Sequence, residues 1–162
     1  MANVKLYLDT SIPSAFYDTS KPLRQLITQK WFEFDATGYE LYTSGITIQE
    51  IEKIKTVSKR ENIRRLLMDS NVRIVEVTDK ARNLAIKYIN KGAIPESEPE
   101  DALHIAAAVT HSISSLASWN FKHIVSINPI RKIHEINTAH GYLLIEIGSL
   151  ELFGGYKYGN LY

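Results

Sequence analysis

VKLYLDTSIP, residues 4–13, changes character halfway along. Residues 4–8 carry the β-branched, aromatic and aliphatic content of a short strand. Asp9 ends that strand. Thr10 and Ser11 follow with Pro13 close behind, and a hydroxyl residue ahead of proline is a helix-start signal. The stretch reads as a strand that hands over directly to a helix. Parallel α/β sheets bind ligands beyond the carboxyl ends of their strands. If the alternation continues, an acid at this junction is the first place to look for chemistry.

The alternation does continue. Leu23, Leu26, Ile27, Trp31 and Phe34 recur at helical spacing and predict a helix over 22–36, closed by Gly38. Residues 40–44 read as a second strand. Helices are expected over 46–55 and 61–68, the latter with Ile63, Leu66 and Leu67 on one face. Residues 72–77 alternate and are β-branched, a third strand. Thr78 is placed to cap a helix bearing Ala81, Leu84, Ala85 and Tyr88 that stops near Gly92. After a loop over 94–100 with Pro95 and Pro99, Ala102, Ile105, Ala106 and Val109 mark another helix. Residues 115–118 read as a short strand, 120–126 as one helical turn or a loop, 129–139 as a helix and 143–147 as a fifth strand. A last turn is expected over 150–153. The end, with Tyr156, Tyr158 and Tyr162, reads as a tail. This order predicts an α/β fold with a mainly parallel sheet of four to five strands, covered on both faces. No repeat or linker divides it, so one domain is expected over 1–153 with a tail over 154–162.

Composition excludes several chemistries. The 162 residues contain no Cys, which removes thiolate zinc sites, iron–sulfur clusters, disulfides and cysteine nucleophiles, and fits a reducing compartment such as the cytoplasm. Lys plus Arg is 19 and Asp plus Glu is 18, a net charge of +1, so nucleic acid cannot be held by bulk charge alone and a local basic rim would be needed. Residues 1–9 show no apolar run after a basic stretch, so no signal peptide is expected, and no apolar run is long enough for a membrane span. GxGxxG, GxxxxGK[ST] and GxSxG are all missing, and with them the sequence support for dinucleotide binding, P-loop hydrolysis and serine-hydrolase chemistry. His104 and His111 are seven apart, about 10.5 Å along a helix and too far for one ion. What remains is dispersed carboxylates, the ligand type suited to Mg²⁺ or Mn²⁺.

Each acid has two readings. Asp9 caps the next helix, or it faces a ligand crevice. Glu50 pairs with Lys53 or Lys55 on an exposed face, or it joins a site; Glu52 points elsewhere, because i and i+2 do not share a helical face. Glu96, Glu98, Glu100 and Asp101 complement a helix dipole. Asp101 alone shares the stripe of Ile105 and Val109, where a carboxylate needs a partner or a metal. Asp9 as a phosphatase nucleophile lacks its usual second acid two residues on, since Ser11 stands there.

Four segments together resemble the PIN domain family, and within it the VapC-like toxins of type II toxin–antitoxin systems. They are Leu6–Tyr7–Leu8–Asp9–Thr10–Ser11, Thr47–Ile48–Gln49–Glu50–Ile51, Pro99–Glu100–Asp101–Ala102–Leu103–His104–Ile105–Ala106, and Leu116–Ala117–Ser118–Trp119–Asn120–Phe121–Lys122–His123–Ile124. The resemblance runs from Leu6 to about Ile147. It implies a three-layer α/β/α fold and a metal-dependent endoribonuclease in which Asp9, Glu50 and Asp101 ligate Mg²⁺ or Mn²⁺. Thr10 or Ser11 and Ser118 would orient those carboxylates. Lys122, Arg131 and Lys132 lie near that site in sequence and are candidates to hold RNA phosphates, a solvated basic face being the better reading of Arg131 and Lys132. Many members place a fourth acid where this chain has Asn120, which joins the catalytic set without a charge. That departure keeps a second reading open, a PIN-like module that binds RNA or a protein and cuts poorly. A small antitoxin protein and a homodimer are the partners the resemblance implies. Tyr17, Trp31 and Phe32 are candidate aromatics for such an interface, Trp31 being better suited to a core.

Overall fold

A computed structural model describes residues 3–154. Strand β1 (Val4–Leu8) leads through Asp9 and Thr10 into helix α1 (Ser11–Ala15), followed by α2 (Pro22–Phe34), β2 (Tyr39–Ser44), α3 (Gly45–Glu52) and α4 (Val57–Asp69). Then come β3 (Arg73–Val75), α5 (Asp79–Asn90), α6 (Pro99–Thr110), β4 (Ser115–Ala117), α7 (Ile127–Ala139) and β5 (Glu146–Gly148), with 3-10 turns at Ala36–Gly38 and Leu150–Phe153. The sheet is parallel in every pairing and ordered β3-β2-β1-β4-β5. The expected α/β class and five strands are what the molecule has.

Alternation along β1 makes the layers. Leu6 and Leu8 face a core with Ile12, Trp31, Trp119, Leu150 and Phe153, under α1 and α2. Tyr7 faces the opposite core, where Ala81, Leu84 and Tyr88 of α5 meet Ile105, Ala106 and Val109 of α6. The run of small residues Ala106, Ala107 and Ala108 is wholly buried and lets α6 lie close to its neighbours. A third cluster, Ile51, Ile63 and Leu67, closes α3 against α4.

Element boundaries differ from the expected ones for local reasons. β3 is shorter than 72–77 because its partner β2 ends: Ser44 pairs with Val75, and nothing lies beyond. β5 begins at Glu146 rather than 143, because the Leu143 carbonyl accepts from Asn137 Nδ2 (3.1 Å) and the Ile145 carbonyl from His134 Nε2 (2.8 Å), outside the strand ladder. α7 starts two residues before Pro129, which sits in the first turn where its missing N–H removes no helical bond. α4 starts at Val57, four residues early, in a polar turn without apolar spacing. Thr78 does cap α5, accepting from the Ala81 N–H.

Trp31 is fully buried and its indole donates to the Phe153 carbonyl (3.1 Å). Tyr17 and Phe32, read as candidate interface aromatics, are instead half-buried. The Tyr17 hydroxyl donates to the Asn62 carbonyl, and Phe32 packs edge-on against Trp31. The expected tail, apart from Gly154, lies outside the described residues, as do Tyr156, Tyr158 and Tyr162. Among the described residues no helix is long and apolar enough to cross a membrane.

Tyr88 donates to Asn137 Oδ1 (2.5 Å), and both residues are buried. Tyr88→Phe strands that carbonyl, which costs about 1–3 kcal/mol. Urea unfolding should show a lower midpoint with an unchanged slope.

Candidate active site

β1 is central, and the chain leaves it toward β2 on one side while β4 flanks it on the other. The carboxyl ends of β1 and β4 therefore form a topological switch point, where the crevice of an open parallel sheet lies. Asp9 follows β1, Ser118 follows β4, and α3 and α6 bring Glu50 and Asp101.

Asp9 is 3% exposed. Its Oδ1 accepts from the N–H (3.0 Å) and the hydroxyl of Ser11, and its Oδ2 accepts from the hydroxyl of Ser118. Each serine is aimed by the chain beyond β4: Trp119 N–H donates to Ser11 Oγ and Asn120 N–H to Ser118 Oγ, both at 2.9 Å. With their oxygens accepting from backbone, the two hydroxyl protons turn to the carboxylate. Thr10, not Asp9, stands at the cap of α1, and one Asp9 oxygen stays within this turn by accepting from Ser11. The other is held across 109 residues of sequence.

Glu50 does not pair with Lys53 or Lys55. Its Oε1 accepts from His104 Nε2 (2.8 Å) and Thr10 Oγ1 (3.0 Å). An ionised carboxylate only accepts, so His104 carries a proton on Nε2. His104 Nδ1 meets the Tyr7 hydroxyl (2.7 Å), which also meets Ser44 Oγ (2.7 Å). His104 is 2% exposed. It stands at i+3 from Asp101, a spacing that puts both on one helical face and is legible in the sequence. Glu52 faces away, toward Arg64 (3.6 Å).

Asp101 Oδ2 accepts from Asn120 Nδ2 (3.0 Å), while Asn120 Oδ1 accepts from the His123 N–H (3.0 Å). A backbone N–H can only donate, which fixes the amide's orientation. Asn120 thus tethers Asp101 to the loop after β4. Lys122 is exposed beside it, and Lys132, which donates to the Gly92 carbonyl (3.3 Å), lines a second cleft together with Lys122.

Charge couples these groups. Burial, with the neighbouring Asp9 charge and those of Glu98 and Glu50, pushes the Asp101 carboxyl up to about 7, against the pull of His104. Burial raises Asp9 too, despite His104 and the serine hydrogen bonds. Burial would also raise Glu50, but the hydrogen bond and charge of His104, with Thr10, outweigh it and leave Glu50 lowered.

Residues 6–120 match the PIN domain family. The chain belongs to the PIN domain family. Among solved structures, its fold is similar to VapC20 of Mycobacterium tuberculosis, described as a sarcin–ricin loop cleaving toxin, at 15% identity and a TM-score of 0.56, over 88% of this chain and 99% of that one. A search of curated proteins finds no match.

The site of this PIN domain can be weighed against a divalent cation. Among the described residues, no three acidic or imidazole side chains gather tightly enough to ligate one ion. Asp9 and Asp101 are nonetheless coupled: burial first, and then the Asp9 charge, hold a proton on Asp101 to near neutrality. A hard dication keeps several waters and takes one or two carboxylates plus substrate phosphate. The pair fits that demand, with Glu50 held close as a third charge.

The raised Asp101 also governs stability. Folded Asp101 keeps its proton up to about pH 7, whereas its ordinary value is 3.8. Between these values the folded state binds more protons, so stability falls as pH rises through that window. Asp9 acts with the same sign. Glu50, being lowered, acts oppositely, only below its ordinary value of 4.5. In metal-free buffer the melting temperature should fall from pH 4.5 to 7.5, and Asp101→Asn should flatten that decline.

Proposed function

We propose that this chain is a Mg²⁺- or Mn²⁺-dependent endoribonuclease of the toxin kind, hydrolysing phosphodiester bonds in RNA. The observation that carries the reading is the buried Asp9 coupled to a proton-retaining Asp101 at the switch point of a PIN-family sheet. On this reading residues 1–153 form the nuclease domain and 154–162 a tail, working in the cytoplasm. The likeness in fold to VapC20, described as a toxin, supports the toxin class. On this reading a small antitoxin protein is the partner and a homodimer the working form.

Asp9 and Asp101 would hold the cation, with Glu50 completing the acidic set. The cation, when bound, lowers the pKa of a water and stabilises charge on the phosphoryl oxygens. Ser11 and Ser118 hold the Asp9 carboxylate in one orientation. Thr10 and His104 hold Glu50 ionised. Asn120 holds Asp101 by its amide N–H and keeps that position uncharged. Lys122 supplies a cation to the RNA backbone.

Asn120 also favours a second reading, an RNA- or protein-binding module with weak or no catalysis. Both polar atoms of its amide are engaged within the protein, so it adds no charge to a metal site.

RNA cleavage with Mg²⁺ or Mn²⁺ separates the two. Asp9→Asn and Asp101→Asn should each lower the rate by about 10²–10³-fold, the scale for removing one charge-stabilising group. Equal activity in wild type and both variants overturns the assignment. A silent wild type that still binds RNA and gains cleavage in Asn120→Asp supports the binding module.

A further inference from the structure

Beside the acids lies a cleft of about 460 Å³ whose wall includes Ser11 and Asn120, residues that also hold Asp9 and Asp101. Its volume falls in the roughly 300–1,000 Å³ span of small-ligand sites. The rest of its wall is unlike the acidic site. Trp119 is buried, and its ring is fixed by an indole N–H donating to Thr28 Oγ1 (3.0 Å). Phe121 packs edge-on against Trp119 with centroids 6.0 Å apart, yet remains 47% exposed. The Arg24 guanidinium sits 5.2 Å from the Trp119 ring centroid and 5.6 Å from that of Phe121. Among the described residues it has no ion-pair or hydrogen-bond partner. A half-buried guanidinium held only on ring faces keeps all its donors free.

Charge around the cleft has one sign. Lys21, Arg24 and Lys122 line it against a single acid, Asp18. One Asp18 oxygen is held by its own turn, accepting from the Ser20 N–H (3.0 Å) and hydroxyl (2.6 Å). In a chain of net charge +1, this is a local basic rim directly beside an acidic centre.

We infer that the Arg24–Phe121 surface is a nucleobase subsite for single-stranded RNA, seating the nucleotide next to the scissile phosphate while Lys21 and Lys122 contact its backbone. The inference rests on the nuclease reading above and adds the part of the substrate that is gripped. Proteins that hold single strands combine a basic groove with aromatic and guanidinium planes on which bases stack, without requiring a particular base. The rings fix Arg24 in place before RNA arrives, so little side-chain freedom is lost on binding. Arg24 and Phe121 are positioning residues here. They grip the strand and leave the proton and phosphoryl chemistry to the acids.

The test is fluorescence anisotropy of the full-length chain with a labelled single-stranded RNA decamer in EDTA, alongside the same RNA carrying one abasic nucleotide moved along its length. Phe121→Leu and Arg24→Gln should each weaken binding by about 5- to 150-fold, the fold-change expected for one lost base stack. Phe121→Trp should retain binding. An abasic nucleotide at one position should weaken wild type and leave Phe121→Leu unchanged. With Mg²⁺ or Mn²⁺, both variants should raise KM far more than they lower kcat. Folded Phe121→Leu and Arg24→Gln proteins that bind the decamer like wild type overturn the subsite while leaving the nuclease reading intact. Loss of a protein partner with unaltered RNA binding assigns the cleft to protein and also overturns it. A wild type that neither binds nor cuts RNA overturns both.

Discussion

A carboxylate taken out of water at the end of a central parallel strand must be given donors, and much of this molecule serves that demand. Asp9 obtains them from Ser11, the next turn of chain, and Ser118, the end of β4. Both serines are in turn aimed by N–H groups of Trp119 and Asn120. The Thr43 hydroxyl donates to the Leu8 carbonyl (2.8 Å) and fastens β2 to the same strand end. Burying Asp9 therefore fixes where β1, β2 and β4 stop relative to one another, and with them the mouth of the crevice.

Two more acids stand at the same site, and the fold handles each differently. Glu50 is supplied with His104, which is itself buttressed by Tyr7 of β1, so its charge persists. Asp101 is given a neutral amide, and its proton is retained to near neutrality. One strand thus serves both faces of the site: Leu8 leads to Asp9, while Tyr7, on the opposite side of the pleat, reaches His104. The acids are tuned apart by partners, which is how carboxylates of one type come to differ in charge at a single pH.

Much of the fold could be read from local pattern. The strand-to-helix handover at residues 4–13 and the Thr78 cap depend on neighbours in sequence. Elements depart from local pattern where distant groups intervene: β3 ends with its partner, and β5 loses its first residues to side chains of α7. The acids themselves were visible as Asp9, Glu50 and Asp101. Ser11, Ser118 and Asn120 stand in the segments that carry the family resemblance, whereas the pairing of His104 with Glu50, 54 residues apart, leaves no local mark.

The sequence by itself determined the class of the molecule, an α/β chain without cysteine whose reactive groups are carboxylates after strands. Periodicity and composition are properties of local stretches, so they survive without coordinates. Only the tertiary structure decided which acid keeps its charge, that Glu50 leans on His104 rather than on a lysine, and that Arg24 of α2 rests on Trp119 and Phe121. Charge state and stacking depend on distance and burial, and those exist only once remote segments have been packed against each other.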